Sequence, residues 1–214
     1  ALGYVVDLLA AVPSIVFGLW GIIVIRPFLL PFADFLNQYF GWIPIFADPV
    51  SSTGSTLFAG GVVLAVMILP IVTSITREIF LQTPRLHEEA ALPLGATRWE
   101  MIRLSVIPYA RSGMVSATLL GLGRALGETM AIALIVSPSL IFSLRILTDG
   151  YNSQTIAANI ALNFPIATDL QRSALIGTGL MLFVVSLAVN MLARYIIAAT
   201  GPGAKGRRKK GKRS

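Results

Sequence analysis

The sequence contains no cysteine, so disulfides, thiol catalysis and cysteine-based metal sites are excluded. It has one histidine, His87, too few for a histidine cluster of the kind that holds zinc or iron. No GxxxxGK[ST] phosphate loop occurs, so the chain does not split ATP by that mechanism. No nucleophile and base lie at a spacing that points to an enzyme. Charge is also scarce: 13% of the 214 residues are charged, and only 10 are acidic.

What is present instead is apolar. Hydrophobic residues make up 55% of the chain and the mean hydropathy is +0.78, outside the range of an ordinary soluble domain. The net charge of +7 equals the seven basic residues of the tail: Lys205, Arg207, Arg208, Lys209, Lys210, Lys212 and Arg213. Because that tail follows an apolar segment, membrane topology is its reading, with no nucleic-acid partner. The pattern predicts an all-α membrane protein, a polytopic helical bundle. Four spans are expected, at about 5–25, 57–76, 113–136 and 174–197, within one transmembrane domain over 1–200. A basic, disordered tail over 201–214 follows.

Arg26-Pro27 is expected to close the first span. Residues 26–56, rich in Pro and aromatics (Phe28, Phe32, Phe35, Tyr39, Phe40, Trp42, Phe46), read as an interfacial segment ending in a turn at Ser51–Thr56. The connection over 77–111 carries Arg77, Arg85, Arg98, Arg103 and Arg111; the other two connections carry only Arg26, Arg145 and Arg172. This asymmetry places 77–111 and both termini in the cytoplasm. Asp7 then lies near an interface, and His87 is a solvated loop residue.

The third span holds an anomaly. Arg124 and Glu128 are its only charges in the 24 residues Gly113–Val136. A charge near the bilayer midplane costs roughly 2.5–3.5 kcal/mol on insertion scales, so it calls for a partner or a task. Four residues apart on a helix, the two side chains are expected to meet on one face. Two readings stay open: an anion contact or gate at Arg124 with Glu128 as its counter-charge, or a structural ion pair between helices. The same span carries small residues every fourth position, Gly113/Ala117/Gly121/Ala125 and Gly123/Gly127/Ala131. Such rows serve close helix packing, either within the chain or against a second subunit.

The cytoplasmic connection reads REIFLQTPRLHEEAALPLGATRWEMIRLSVIPYARSG. Two short helices flanking a Pro93-x-Gly95 break are expected, the second stopped by Pro108 before the third span. Glu89, Ala90, Ala91, Gly95 and Pro108 fall in the register of the EAA loop, and the segment resembles bacterial ABC import permeases. Ser105, Ile107 and Pro93 depart from the family pattern. The resemblance implies a type I ABC importer permease whose loop docks in a cleft on an ATPase subunit.

GLGRALGETMA and LLAAVPSIVFGLWG further resemble the phosphate import permeases. Of the two homologous subunits that pair there, PstC and PstA, Thr129-Met130-Ala131 and TIAANIA at Thr155–Ala161 resemble the PstC type. That resemblance implies a transmembrane subunit of an ATP-driven phosphate importer in a bacterial cell membrane. Its partners would be a PstA-like permease subunit, two cytoplasmic ABC ATPase subunits and an extracytoplasmic phosphate-binding protein. No cofactor is implied for the chain itself, since ATP is bound and hydrolysed by the partners. PstC-type subunits have six spans, so two spans are expected upstream of Ala1. Arg-x-x-Gly-Glu also resembles sulfate and molybdate permeases. Two other classes remain: an ion-coupled secondary transporter with Glu128 as proton carrier, and a membrane scaffold.

Overall fold

Every regular element among the described residues is helical, as apolar segments of this length require in lipid. The computed structural model describes residues 2–84, 97–139, 141, 143–150 and 154–200. The elements are α1 (Leu2–Ala10), α2 (Ser14–Trp20), α3 (Arg26–Phe40), α4 (Leu57–Leu81), α5 (Arg98–Met101), α6 (Ile107–Leu126), α7 (Met130–Ile135), α8 (Ile156–Asn163) and α9 (Asp169–Thr200). Three helical stretches are long and apolar enough to cross a membrane: Ser14–Phe40, Leu57–Leu81 and Asp169–Tyr195.

The structure corrects several expected boundaries, and proline explains two of them. Arg26-Pro27 does not close the first span. A π-helical turn at Gly21–Ile25 joins α2 to α3, so one helix runs from Ser14 to Phe40. Residues 26–40 are therefore helix, continuous with the span that precedes them. Pro108 likewise stops nothing: a second π-helical turn, Ile102–Val106, joins α5 to α6. Proline lacks an N–H and its ring clashes with the carbonyl four residues back. For Pro27 that residue is Ile23 and for Pro108 it is Leu104, each inside a π turn where the ordinary ladder has already been widened.

The third expected span is corrected in the opposite sense. It breaks without any proline: α6 ends at Leu126, Gly127 caps it, and α7 begins only at Met130. Side-chain oxygens of Thr56 and Thr155 accept from the backbone of Ala59 and Ala158, fixing the starts of α4 and α8. Thr97 and Glu100 form a reciprocal capping box at α5. Glu89, Ala90, Ala91, Gly95, His87 and the tail over 201–214 lie outside the described residues.

The core is built by α2, α4, α7 and α8 around Phe17, Val63, Met67, Ile132, Ile135, Val136 and Ala158. The helices approach closely because small residues line the contacts. A Cβ on Gly121 would fall 2.6 Å from Ile68 and 2.7 Å from Val72, and one on Gly113 would fall 2.8 Å from Ile79. Ala117, between them, is 1% exposed. The first small-residue row thus packs α6 antiparallel along α4 within the chain. The second row is divided: Ala131 lies against the backbone of Gly18, whereas Gly123 faces open space.

At the Leu57 end of α4, two connections are tied to each other. Backbone bonds run from Ser51 N to Leu147 O (2.9 Å), Phe58 N to Ile146 O (3.0 Å) and Ile146 N to Ile45 O (3.1 Å). Thr148 donates to Pro49 O at 2.7 Å. The Asp149 carboxylate accepts from Ser51 Oγ at 2.8 Å and Thr53 Oγ1 at 2.6 Å, while Arg26 donates to Thr53 O. Gly54, at φ +72°, brings its N–H 2.8 Å from Ser51 Oγ in a conformation that L side chains rarely adopt. The Thr53 hydroxyl is the main reason the Asp149 carboxyl titrates below its ordinary range. Partial burial opposes that shift; Ser51, the backbone and the Arg26 charge assist it.

Candidate functional site

A groove of about 1000 Å³ opens between α1, α4, α6 and α9. Its walls are apolar, supplied by residues such as Ile71, Ile75, Leu119 and Leu120. Five polar side chains interrupt them: Ser74, Ser116, Arg124, Asn190 and Arg194. Gly123 completes the wall beside Arg124, where the missing Cβ leaves the floor open.

Packing fixes the level of each group. Gly113 meets Ile79 and Gly121 meets Ile68 and Val72, so α6 climbs from the Leu81 end of α4 toward its middle. Arg124, one turn past Gly121, sits near the mid-length of α4. Ser74 and Ser116 sit lower, toward the Leu81 end. Arg124 is exposed to the groove, and the described residues offer its guanidinium no hydrogen-bond or ion-pair partner.

Arg124 and Glu128 do not pair, which corrects the expectation that they share a helix face. Among the described residues Asp7 pairs with Arg77 and Asp169 with Arg172, each at 3.7 Å. The cause is the break after Leu126. Once the helical ladder stops, a spacing of four residues no longer stacks side chains. Glu128 turns the other way: only 7% exposed, it accepts the N–H of Ala131 at 3.2 Å and so holds the start of α7. Its backbone carbonyl accepts from Thr155 Oγ1 at 3.4 Å, tying the break to the first turn of α8. Glu128 is not among the residues lining the groove.

The groove also contains what the sequence reading passed over. Arg194 and Asn190 are four residues apart on α9 and line the same space as Arg124. The signal was an asparagine one turn before an arginine inside an apolar helix. Arg194 was hidden because a basic residue near the end of a last span reads as part of the topology signal that the tail already supplies.

At the groove's lower rim, Asp7 accepts from Ser74 Oγ at 2.6 Å and pairs with Arg77. The acidic group closest to the groove is thus engaged at the rim. Among the described residues, no three His, Cys, Asp or Glu side chains converge in a way that could hold a metal ion. Chemically, the arrangement is an apolar-walled groove with two guanidiniums, an amide and two serine hydroxyls. It suits an anion that passes without covalent change.

Comparison with known proteins agrees with the helical architecture. The family of binding-protein-dependent transport system inner membrane components matches residues 1–201. A phosphate transport system permease protein PstC 2 from Mycobacterium bovis is 51% identical over 197 residues, covering 91% of this chain and 60% of that protein. The phosphate transport system permease protein PstC of Mycobacterium leprae is 47% identical over 194 residues (89% and 60%), and that of Pasteurella multocida is 38% identical over 203 (91% and 61%). The chain spans about 60% of the length of these curated relatives. No solved structure matches.

Proposed function

Because the chain belongs to the family of binding-protein-dependent transport system inner membrane components, a family of multi-pass membrane permeases, we propose that it is part of a permease subunit of an ATP-driven phosphate importer. The observation that carries the reading is the Arg124 guanidinium, unpartnered in an apolar-walled groove of about 1000 Å³ near the middle of the bundle. A guanidinium stays charged at any working pH, and its planar fork matches the oxygens of phosphate. The names of the relatives, all phosphate transport permeases, support phosphate over other oxyanions.

In this reading the chain lies in a bacterial cell membrane with residues 77–111 and the C-terminus cytoplasmic. A homologous PstA-like subunit supplies the other half of the path, and an extracytoplasmic binding protein delivers phosphate at the Leu57 end of α4. The chain itself catalyses nothing and holds no cofactor. ATP is bound and split by two cytoplasmic subunits, whose motion reaches the bundle through Glu89, Ala90, Ala91, Gly95 and Pro108. Since α5 and α6 form one helix through Pro108, a push on Arg98–Met101 passes directly to the helix that carries Arg124. Phosphate shifts the balance between outward- and inward-open states only by its differential affinity for them.

Reconstitution of the full-length subunit with its partners in liposomes tests this reading. ATP-dependent uptake of phosphate over sulfate and molybdate is expected. Preference for sulfate or molybdate overturns the substrate and keeps the architecture. Uptake that needs a proton gradient and no ATPase overturns the mechanism, and makes Glu128 the group to pursue.

A further inference from the structure

We infer that Arg194, assisted by Asn190, forms a second contact for the same tetrahedral oxyanion, lying between the Arg124 level and the cytoplasmic mouth of the groove. The inference rests on the reading of the groove as the anion path. It adds a second station and a direction of travel.

Three observations carry it. First, Arg194 and Asn190 line the groove that Arg124 lines, and the described residues give the Arg194 guanidinium no ion-pair or hydrogen-bond partner. Both guanidiniums are exposed to the groove and neither is taken up by a described carboxylate, so each is open to a visiting anion. Second, the helices run in opposite directions. Gly179 faces Ile160 of α8, the helix whose capping residue Thr155 bonds the break at Glu128, whereas Asn190 and Arg194, about three to four turns further along α9, line the groove together with Ser74 and Ser116. Thus α9 descends while α6 ascends.

Third, each Cα–Cβ bond of a helix tilts toward that helix's own N-terminus. The start of α6 lies at the bottom of the groove and the start of α9 at the top. Arg124 therefore leans downward and Arg194 upward, toward each other along the groove. An arginine that merely sought the cytoplasmic headgroups would have to reach against that tilt.

Two weak contacts in series serve transport better than one strong one. An anion must be held firmly enough to cross an apolar interior and loosely enough to leave. Phosphate held by the Arg124 fork is offered a second fork below before the first releases it. The Asn190 amide, on the same face as Arg194, donates to an oxygen that neither fork occupies. At the rim, Asp7 is already engaged by Ser74 and Arg77, so it does not neutralise the lower station.

The test uses the full-length complex with all partner subunits, made otherwise cysteine-free and placed in liposomes. Arg194→Cys is expected to lower ATP-dependent uptake of inorganic phosphate by about tenfold, the scale of losing one charge-assisted contact. A small cationic methanethiosulfonate applied from the cytoplasmic side should restore most of the rate. An anionic reagent of the same size should not, and phosphate should slow the labelling. Normal uptake by Arg194→Cys, or equal behaviour of the two adducts, overturns the proposal.

Should Arg194→Cys fail to co-purify with its partners, Arg194→Gln carries the test, and normal uptake by it is equally fatal. Asn190→Ala supplies an independent measurement: KM rises a few-fold with little change in kcat, and an unchanged KM removes Asn190 from the site. Arg124→Cys separates the two ideas. Loss at Arg124 with normal Arg194→Cys leaves the path reading intact and sinks the second station, whereas normal uptake in both variants sinks the path reading itself.

Discussion

Two regions of this bundle treat polar groups in opposite ways. At the Leu57 end, Asp149 holds two hydroxyls with Arg26 close by, and the backbone of one connection bonds to that of the other. In the groove, Arg124 and Arg194 have no partner among the described residues. A buried polar group left unmatched is costly, so the clasp, with Ser51 and Thr148 buried, closes its network, whereas the two exposed guanidiniums of the groove stay open to a ligand. The clasp at the Leu57 end is closed and the groove is open. The difference separates residues that hold the shape from residues kept free for a ligand.

The largest expected effect lies on the open side. Arg124→Ala should lower phosphate uptake by about ten- to a hundredfold while the subunits still co-purify, because a hydrogen bond to a charged group contributes about 1.5–3 kcal/mol. Arg124→Lys keeps the charge and loses the fork, so it should recover only part of the rate. Full transport by Arg124→Ala, measured in liposomes, would erase the contrast between groove and clasp.

Packing between the two regions gives the next effect. Gly121→Ala forces a methyl against Ile68 and Val72 and should cost about 1–3 kcal/mol in thermal stability. Gly123→Ala, two residues on, meets nothing within 4 Å and should be neutral or slightly stabilising. Equal melting temperatures for the two variants would mean that α4 and α6 do not pack as described.

Glu128 sharpens the comparison because it is buried yet belongs to the closed class. Glu128→Gln keeps an oxygen to accept from Ala131 and should reduce uptake less than Glu128→Ala, which leaves the start of α7 uncapped at about 0.5–2 kcal/mol. A Glu128→Gln variant as inactive as Arg124→Ala would move the carboxylate into the transport machinery.

The smallest effect is at the clasp. Asp149→Ala removes the acceptor of two exchangeable hydroxyl bonds and should cost about 0.5–1.5 kcal/mol. Because the Asp149 carboxyl titrates below its ordinary value, its contribution is present above the unfolded-chain value and lost as pH falls through the lower folded one. Protection of the 51–54 backbone against hydrogen exchange should therefore be flat above about pH 5 and decline in acid. In Asp149→Asn that acid-dependent decline should be absent.

Much of the architecture was legible, and the misses share a cause. An arginine within an apolar run is conspicuous, so Arg124 could be picked out before any helix was placed. The same rule hid Arg194, since basic residues are expected where a last span meets the cytoplasm. Helix ends were misjudged because proline is an unreliable terminator when a π turn precedes it, as at Pro27 and Pro108, while the true break at Gly127–Thr129 carries no proline. The expected pairing of Glu128 with Arg124 fails at that break, because a four-residue spacing means one face only inside an unbroken helix. The Gly113/Ala117/Gly121 row left its partner open, since small residues say that something comes close but not what.

The π turn at Ile102–Val106 also sets an angle. Each residue of an α-helix advances the chain by about 100° around its axis and ~1.5 Å along it. A π turn absorbs one extra residue, so removing one from it would restore an ordinary helix with Arg98 and Trp99 near their present bearing, whereas removing one from the ordinary turn Pro108–Ser112 would swing them by about that 100° relative to Arg124. Helix content and membrane insertion would hardly notice. On the proposed coupling, the loop offered to the ATPase would then face a different bearing, like a crank remounted on the wrong spline. A single-residue deletion within Pro108–Ser112 is expected to uncouple ATP hydrolysis from uptake while every subunit remains in the complex, and one within Ile102–Val106 is expected to be tolerated.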